Sequence, residues 1–387
     1  MKAIVFVSGR ADLGPLAPVI DSIGRRPGFD VTAVTALTFD SVSLRAELTA
    51  VGVTPAVHVA AVGPLLAGDQ AEDLVRCGAR VSEGITALLS EGADVLVVLG
   101  DRWELPWVVM PAVLLGVPVV HLHGGEVTEG AIDERVRHAV TKLADVHCVA
   151  SQDAAQRLRQ LGEEPKSIHI TGAPGLDRYR TTPAATDSEL ATILGHAVRR
   201  PLALFTYHSV TTEPVDTVAE NAAAALRATA TATSQVLVTH PGPDSGREAV
   251  LTAITKVAGQ LDNVIVVAAL GSLYPSVLAA CDIVVGNSSS GVVEATSVGI
   301  PAVDIGKRQT GRLRGVNVLH ADDGFTPVTD AVRRGLDPGF ARSWGHLVNP
   351  HGDGHAADCV ADVIASAGGR AGSKRFVDID FRTQSKE

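Results

Sequence analysis

Ionisable side chains crowd one short stretch of this chain: His121-Leu122-His123-Gly124-Gly125-Glu126, then Thr128, Glu129, Asp133, Glu134, Arg137, His138, Thr141 and Lys142. If the first part ends a strand, alternation sets His121 and His123 on one face. If a helix begins near Ile132, its spacing pairs Glu134 with His138 and Arg137 with Thr141. Carboxylates and imidazoles gathered in this way can pass a proton to and from a reacting carbon or a leaving group. Two other readings stay open. Acids in a first turn and a lysine near the end suit the dipole of any surface helix. His-x-His completed by Glu126 or Asp133 is a donor set for zinc. The metal-free acid–base team is the favoured reading.

Asp101 stands in Gly100-Asp101-Arg102, directly after the apolar run Val95 to Leu99, with Trp103 and Glu104 opening the next helix. It either projects toward a ligand from a strand end or caps the helix behind it. In the second half, Gly286-Asn287-Ser288-Ser289-Ser290-Gly291 follows Ile283 to Val285 and precedes the helical stretch Val292 to Val298. Small residues, three hydroxyls and converging backbone N–H groups suit a diphosphate. The spacing is neither that of a Walker loop nor that of a GxGxxG dinucleotide fingerprint. Glu294, inside that helix, is placed to read a sugar diol. Arg308 follows the run Ala302 to Ile305, and Arg10 lies in the loop after the first run; each is either a solvated charge or half of a diphosphate clamp. His208 and Asp244 hold corresponding positions after Leu202 to Thr206 and Val236 to Thr239.

The elements that must present these residues read as two α/β series. Lys2 to Val7 is a buried strand, Ser8 to Gly14 a loop, and Pro15 onward a helix. Strands recur at Val31–Thr35, Val95–Leu99, Val117–Leu122 and Val146–Ala150. A second set runs Leu202–Thr206, Val236–Thr239, Val264–Val267, Ile283–Val285 and Ala302–Ile305. Strand alternating with helix predicts parallel sheets, whose ligands bind beyond the carboxyl ends of the strands. A polar stretch from Arg178 to Asp187 is the expected link. It separates residues 1–180 from residues 188–367, leaves 368–387 as a polar tail, and allows the last helix to return to the first domain.

A chain of 387 residues exceeds one ordinary core. With 46% hydrophobic and 20% charged residues it is globular, and no apolar run is long enough for a bilayer. A cytoplasmic location is expected, since no basic segment with an apolar stretch and cleavage site follows Met1. Four scattered cysteines without a CxxC pair read as buried thiols. The net charge of −10 argues against a nucleic-acid partner.

These motifs resemble those of UDP-N-acetylglucosamine 2-epimerases. The likeness runs from Gly9-Arg10-Ala11-Asp12 through Gly100-Asp101-Arg102, His121 to Glu126, Glu129 to Asp133, Arg137 to Lys142 and Gly286 to Gly291, to Arg308-Gln309. It covers roughly Lys2 to His320 and is nearest to the hydrolysing type of sialic and legionaminic acid pathways. The resemblance implies a GT-B-like α/β fold: two Rossmann-like domains with a central cleft. It implies Asp101 and Asp133 as catalytic carboxylates, assisted by Glu126 and His208. Arg10, Asp244, Ser288, Ser289, Ser290, Glu294 and Arg308 would hold UDP, and Arg102, His123, Arg137 and His138 would contact substrate. It further implies a homodimer or homotetramer that binds a UDP-sugar and UDP. Leu13, Ser209, Gly242 and His123 depart from the tyrosine, proline, asparagine and glutamate common at these positions.

The chemistry so implied is elimination of UDP to a 2-acetamidoglycal, protonation of carbon 2 from the other face, and then addition of water or return of UDP. It needs no cofactor and no metal. The rival classes are a GT-B glycosyltransferase with an acceptor site and a hydrolase using His121 and His123 on a metal.

Overall fold

The computed structural model describes residues 1–53, 57–66, 71–127, 132–210, 213–242, 246–367 and 374–378. The chain forms two compact units: Met1–Asp177 with His351–Glu387, and Arg178–Pro350. The structure therefore changes unit at Arg178 and again at His351. The helix Ala356–Ala367, which the sequence reading counted within residues 188–367, belongs to the first unit. Asp177 ties the returning chain down, accepting the N–H groups of Ala356 (3.0 Å) and Ala357 (2.7 Å).

The first unit holds seven parallel strands: β1 (Lys2–Val7), β2 (Asp30–Leu37), β3 (His58–Leu65), β4 (Val95–Leu99), β5 (Val119–Leu122), β6 (Val146–Val149) and β7 (Ile168–Ile170). Their order across the sheet is β3-β2-β1-β4-β5-β6-β7. Alternation along β1 sends Ala3, Val5 and Val7 into one apolar cluster and Ile4 and Phe6 into another. Both faces are therefore covered, as a parallel sheet requires. The second unit holds β8 (Leu202–Thr206), β9 (Gln235–Thr239), β10 (Val264–Val267), β11 (Ile283–Gly286), β12 (Ala302–Ile305) and β13 (Val318–Ala321), in the order β10-β9-β8-β11-β12-β13. All registered pairs in this sheet are parallel too.

Three strands lie outside the sequence expectation: β3, β7 and β13. Each is an edge strand, and only one residue of β3, one of β13 and none of β7 is fully buried. An edge strand covered on fewer sides has no need of the apolar run that marked the central strands.

Two local expectations are corrected. Residues Ser8 to Gly14 are not a loop, because the helix runs Arg10–Gly24 and contains Pro15 and Pro18. Its start is fixed by Asp12, whose Oδ2 accepts the N–H groups of Ser8 (3.0 Å) and Gly9 (2.9 Å), satisfying donors that the first turn leaves over. The stretch Arg178 to Asp187 is not a plain link. Asp177–Thr181 is helical, and Asp187–Leu194 is a second helix with a Thr186/Glu189 capping box.

A buried acid starts the helix Leu105–Leu115. Glu104 is 1% exposed, and its Oε2 has no hydrogen-bond partner among the described residues. Burial pushes its carboxyl from 4.5 up to about 7, while its own backbone N–H and Arg102 pull the other way. A raised acid keeps its proton longer in the folded state. Its favourable contribution is therefore present below about pH 4.5 and lost as pH climbs through about 7. Glu104→Gln should remove that slope, becoming more stable than the natural chain at pH 8 by up to about 3 kcal/mol while nearly matching it at pH 4.5. Thermal midpoints of both proteins at the two pH values test this; a gap that does not widen with pH refutes it.

Candidate active site

At the carboxyl ends of β4 and β5, one guanidinium gathers three acidic residues. Arg137 projects from the helix Ile132–Leu143 with its side chain 5% exposed. Its Nη2 donates to Asp101 Oδ2, while its Nη1 donates to the backbone carbonyl of Glu126 (2.7 Å) and reaches Glu134 Oε2 (3.4 Å). The fork of donors on an arginine suits such a role better than a lysine would. Asp133, one turn earlier on the same helix, is pushed up first by burial and then by the charge of Asp101. A carboxyl whose environment favours its protonated form, beside one that is paired with a cation, offers an acid and a base.

His123 and Glu126 form a second pair, Nδ1 to Oε1 at 2.5 Å. His123 has a left-handed backbone (φ 60°) beyond the end of β5, so strand alternation no longer relates it to His121. Its Nε2 is buried without a hydrogen-bond partner among the described residues. Gly125 lets the loop close: a Cβ there would lie 2.4 Å from the carbonyl oxygen of Ala154. Glu134 also meets His138, Oε1 to Nε2 at 3.3 Å, on the exposed side of the helix.

His121 is corrected from a candidate acid, base or metal ligand to a buried strut. Its ring is 0% exposed, Nε2 lies 2.8 Å from the Gly100 carbonyl, and Thr141 Oγ1 lies 3.3 Å from Nδ1. Burial pushes its pKa down to about 3, so the ring is neutral. The carbonyl must accept, which puts the hydrogen on Nε2 and leaves Nδ1 to accept from the threonine. Among the described residues, no group of three His, Cys, Asp or Glu side chains is arranged to hold a metal ion.

Arg102 binds Asp12, Nε to Oδ1 at 3.3 Å, and its guanidinium occupies the space a Cβ on Gly9 would need (2.9 Å). Arg10 is exposed at the start of its helix, 3.5 Å from Glu47. Neither arginine is buried.

The second unit assembles its own group beyond β8, β9, β11 and β12. Asn287, 0% exposed, organises it. Its side chain accepts the His208 N–H (2.7 Å) and donates to the His208 carbonyl (2.9 Å), while its own carbonyl accepts from Arg308 Nη1 (3.1 Å) and Gln309 Nε2 (3.0 Å). His208 Nδ1 accepts the Gly242 N–H at 2.9 Å, so the neutral ring carries its hydrogen on Nε2. Gly286 ends β11 at φ 141°, where a Cβ would stand 1.9 Å from the Thr206 carbonyl oxygen. No other residue fits there. Ser288 caps the short helix Ser289–Val293 through the Ser290 N–H.

Glu294 is not one turn inside a continuous helix. It separates Ser289–Val293 from Ala295–Val298, and its carboxylate accepts from Ser290 Oγ (2.5 Å) and Arg178 Nη2 (3.0 Å). Tyr274 adds a hydroxyl 2.6 Å from Ser290 Oγ. Asp244 lies outside the described residues, as do Thr128 and Glu129. Sequence reasoning missed Glu104, Arg178 and Tyr274. Glu104 differs from an ordinary helix-start acid only by burial, and the partners of Glu294 come from segments distant in sequence.

Known proteins are similar to this chain in sequence and in fold. The sequence profile of the UDP-N-acetylglucosamine 2-epimerase family matches residues 48–365. The chain is 30% identical to UDP-N,N'-diacetylbacillosamine 2-epimerase (hydrolyzing) of Legionella pneumophila over 92% of this chain and 94% of that one. It is 28% identical to UDP-N-acetylglucosamine 2-epimerase of Neisseria meningitidis serogroup B, over 88% and 89%. The crystal structure of UDP-GlcNAc 2-epimerase from Neisseria meningitidis bound to UDP-GlcNAc shares the fold, with a TM-score of 0.72 at 15% identity over 95% of this chain and 100% of that one. The two Rossmann-like sheets are thus the GT-B-like α/β architecture of these enzymes, and the chain belongs to the UDP-N-acetylglucosamine 2-epimerase family.

Proposed function

We propose that this chain inverts carbon 2 of a UDP-linked 2-acetamido sugar by eliminating UDP and then adding water, releasing the free epimer. The substrate is UDP-N-acetylglucosamine or a relative with a second acetamido group, and the product is N-acetylmannosamine or its counterpart. The observation that carries this reading is the clustering around Arg137 of Asp101, the Glu126 backbone and Asp133, two of them acids in unlike environments.

Carbon 2 of an intact pyranose holds its hydrogen too firmly for a carboxylate to remove. As the bond from carbon 1 to the diphosphate oxygen breaks, positive charge develops on the ring and acidifies carbon 2. One carboxylate then takes the proton as the C1–C2 double bond forms. A carboxyl on the other face returns a proton to carbon 2, and water attacks carbon 1. Asp101 and Asp133 are assigned these transfers, with Glu126 and His123 orienting the water. In the second unit, Ser288, Ser289, Ser290 and Arg308 are assigned to the diphosphate and Glu294 to the ribose. His208, with its hydrogen on Nε2, suits donation to the departing phosphate oxygen. The 30% identity to a hydrolysing enzyme over nearly the whole chain supports capture by water rather than return of UDP.

Three outcomes are expected. Asp101→Asn keeps an acceptor oxygen for Arg137, so UDP affinity should hold while turnover falls about 100- to 10,000-fold; near-natural turnover would remove Asp101 from the chemistry. Arg308→Ala should weaken UDP and UDP-sugar together by about 1.5 to 3 kcal/mol in calorimetry, and unchanged affinity would return Arg308 to a purely structural contact with Asn287. Proton NMR in heavy water with UDP-N-acetylglucosamine should show deuterium at carbon 2 and free UDP in step with free sugar. An epimeric UDP-sugar without free UDP would overturn the hydrolytic half, and products without deuterium would overturn the elimination.

A further inference from the structure

The segment Lys374–Asp378 is fastened to the first unit beside the C-terminal end of the helix Ile132–Leu143. The Val377 N–H donates to the Gly162 carbonyl (2.9 Å), the Phe376 ring fills the space beside Gly162, and the Lys142 ammonium sits 5.2 Å from the centre of that ring. Lys374 makes the decisive contacts. Its Nζ donates to the carbonyls of Thr141 (2.8 Å) and Ala144 (2.5 Å) and pairs with Glu163 Oε2 (2.7 Å). Those carbonyls lie at the C-terminal end of the helix Ile132–Leu143, where the last turn lacks internal donors and the dipole favours a cation. Glu163, 1% exposed, also receives Lys142 (2.6 Å) and His147 (3.0 Å). Burial alone would raise its carboxyl, but these donors hold it down at about 2.

The same helix carries Asp133 and Arg137 and touches the Asp101 turn twice. Arg137 grips the Asp101 carboxylate, and Thr141 bonds His121, which bonds the carbonyl of Gly100 immediately before Asp101. Thr141 is therefore held from both sides: its carbonyl by Lys374, its hydroxyl by His121. We propose that Lys374 is a positioning residue, fixing the end of the helix Ile132–Leu143 and, through Thr141 and His121, the turn that presents Asp101. Its catalytic consequence rests on the function proposed above. Lys374 touches neither Asp101 nor Asp133, so its effect on turnover is wholly through their placement.

Lys374→Met keeps the aliphatic stem and deletes the three donors; Lys374→Arg keeps a cation and donors. Both variants are compared with the natural chain, and so is a chain ending at residue 373. In the Met variant and the shortened chain, amide hydrogen exchange should accelerate across residues 132–143 and 99–102, while the second sheet keeps its natural rates. Because a displacement of about 1 Å in a reacting group can cost about 100-fold, kcat should fall at least about tenfold. KM and UDP affinity should stay near natural values, and Lys374→Arg should recover most of the loss. A merely structural anchor would lower the amount of folded enzyme without this split between kcat and KM. Unchanged exchange at 132–143 and 99–102 in the shortened chain overturns the proposal, and so does natural kcat in Lys374→Met. If the natural chain turns over no UDP-sugar, the function proposed above fails, while the exchange rates still decide whether Lys374 fixes the helix and the turn.

Discussion

The candidate site of the first unit is built around a buried cation. Arg137 has lost nearly all its water, and taking a guanidinium out of solvent costs several kcal/mol unless charges and hydrogen bonds replace what was lost. The replacements are the Asp101 carboxylate, Glu134 and the Glu126 carbonyl, which come from the end of β4, the helix itself and the loop after β5. Three segments are thereby brought to one point by a single side chain. Removing one partner would strand the others, because an uncompensated buried charge is costlier than a missing pair. The loop after β5 is thus tied to the helix by electrostatics as much as by packing.

The second unit reaches a similar end without a charge at its centre. Asn287 uses a neutral amide and its own backbone to hold His208, Arg308 and Gln309 in one arrangement. An amide both donates and accepts, so one side chain can fix a loop through its N–H and its C=O together. Gly286 before it is forced by the closeness of the Thr206 carbonyl. The small residues of Gly286 to Gly291 therefore answer to backbone crowding first, with any ligand making use of the space they leave.

Much of this was legible in the sequence. The central strands of both sheets announce themselves because both faces are buried and nearly every residue is apolar; β1, β4, β8 and β12 coincide with their apolar runs. Three of the four edge strands, β3, β7 and β13, do not, since solvent on one side relaxes the requirement, whereas the edge strand β10 keeps its apolar run. Motif spacing located Asp101, Glu126 and Asp133 at strand ends or helix starts, but it could not distinguish His121 from His123. That difference rests on one left-handed residue and on complete burial, neither of which leaves a pattern in residue types. The return of the last helix to the first unit was legible only as an option. The chain does change unit at Arg178, but the helices at either end of the stretch Arg178 to Asp187 were missed because polar composition marks capped helices as readily as loops.

The chain leaves the first unit after Asp177 and re-enters it at His351, with Asp177 bonded to the first turn of the returning helix. This interleaving sets an order of assembly during synthesis. Domains fold as units when their residues have emerged. The second unit is continuous in sequence, so it can be complete while the first still lacks Ala356–Ala367 and Lys374. The apolar face of the helix Arg10–Gly24 that will receive Val360, Ala361 and Ile364 of the helix Ala356–Ala367 waits uncovered until that helix leaves the ribosome. A nascent chain that has emerged as far as Pro350, with Ala356–Ala367 still inside the ribosome, would therefore carry a finished second unit and an open first one.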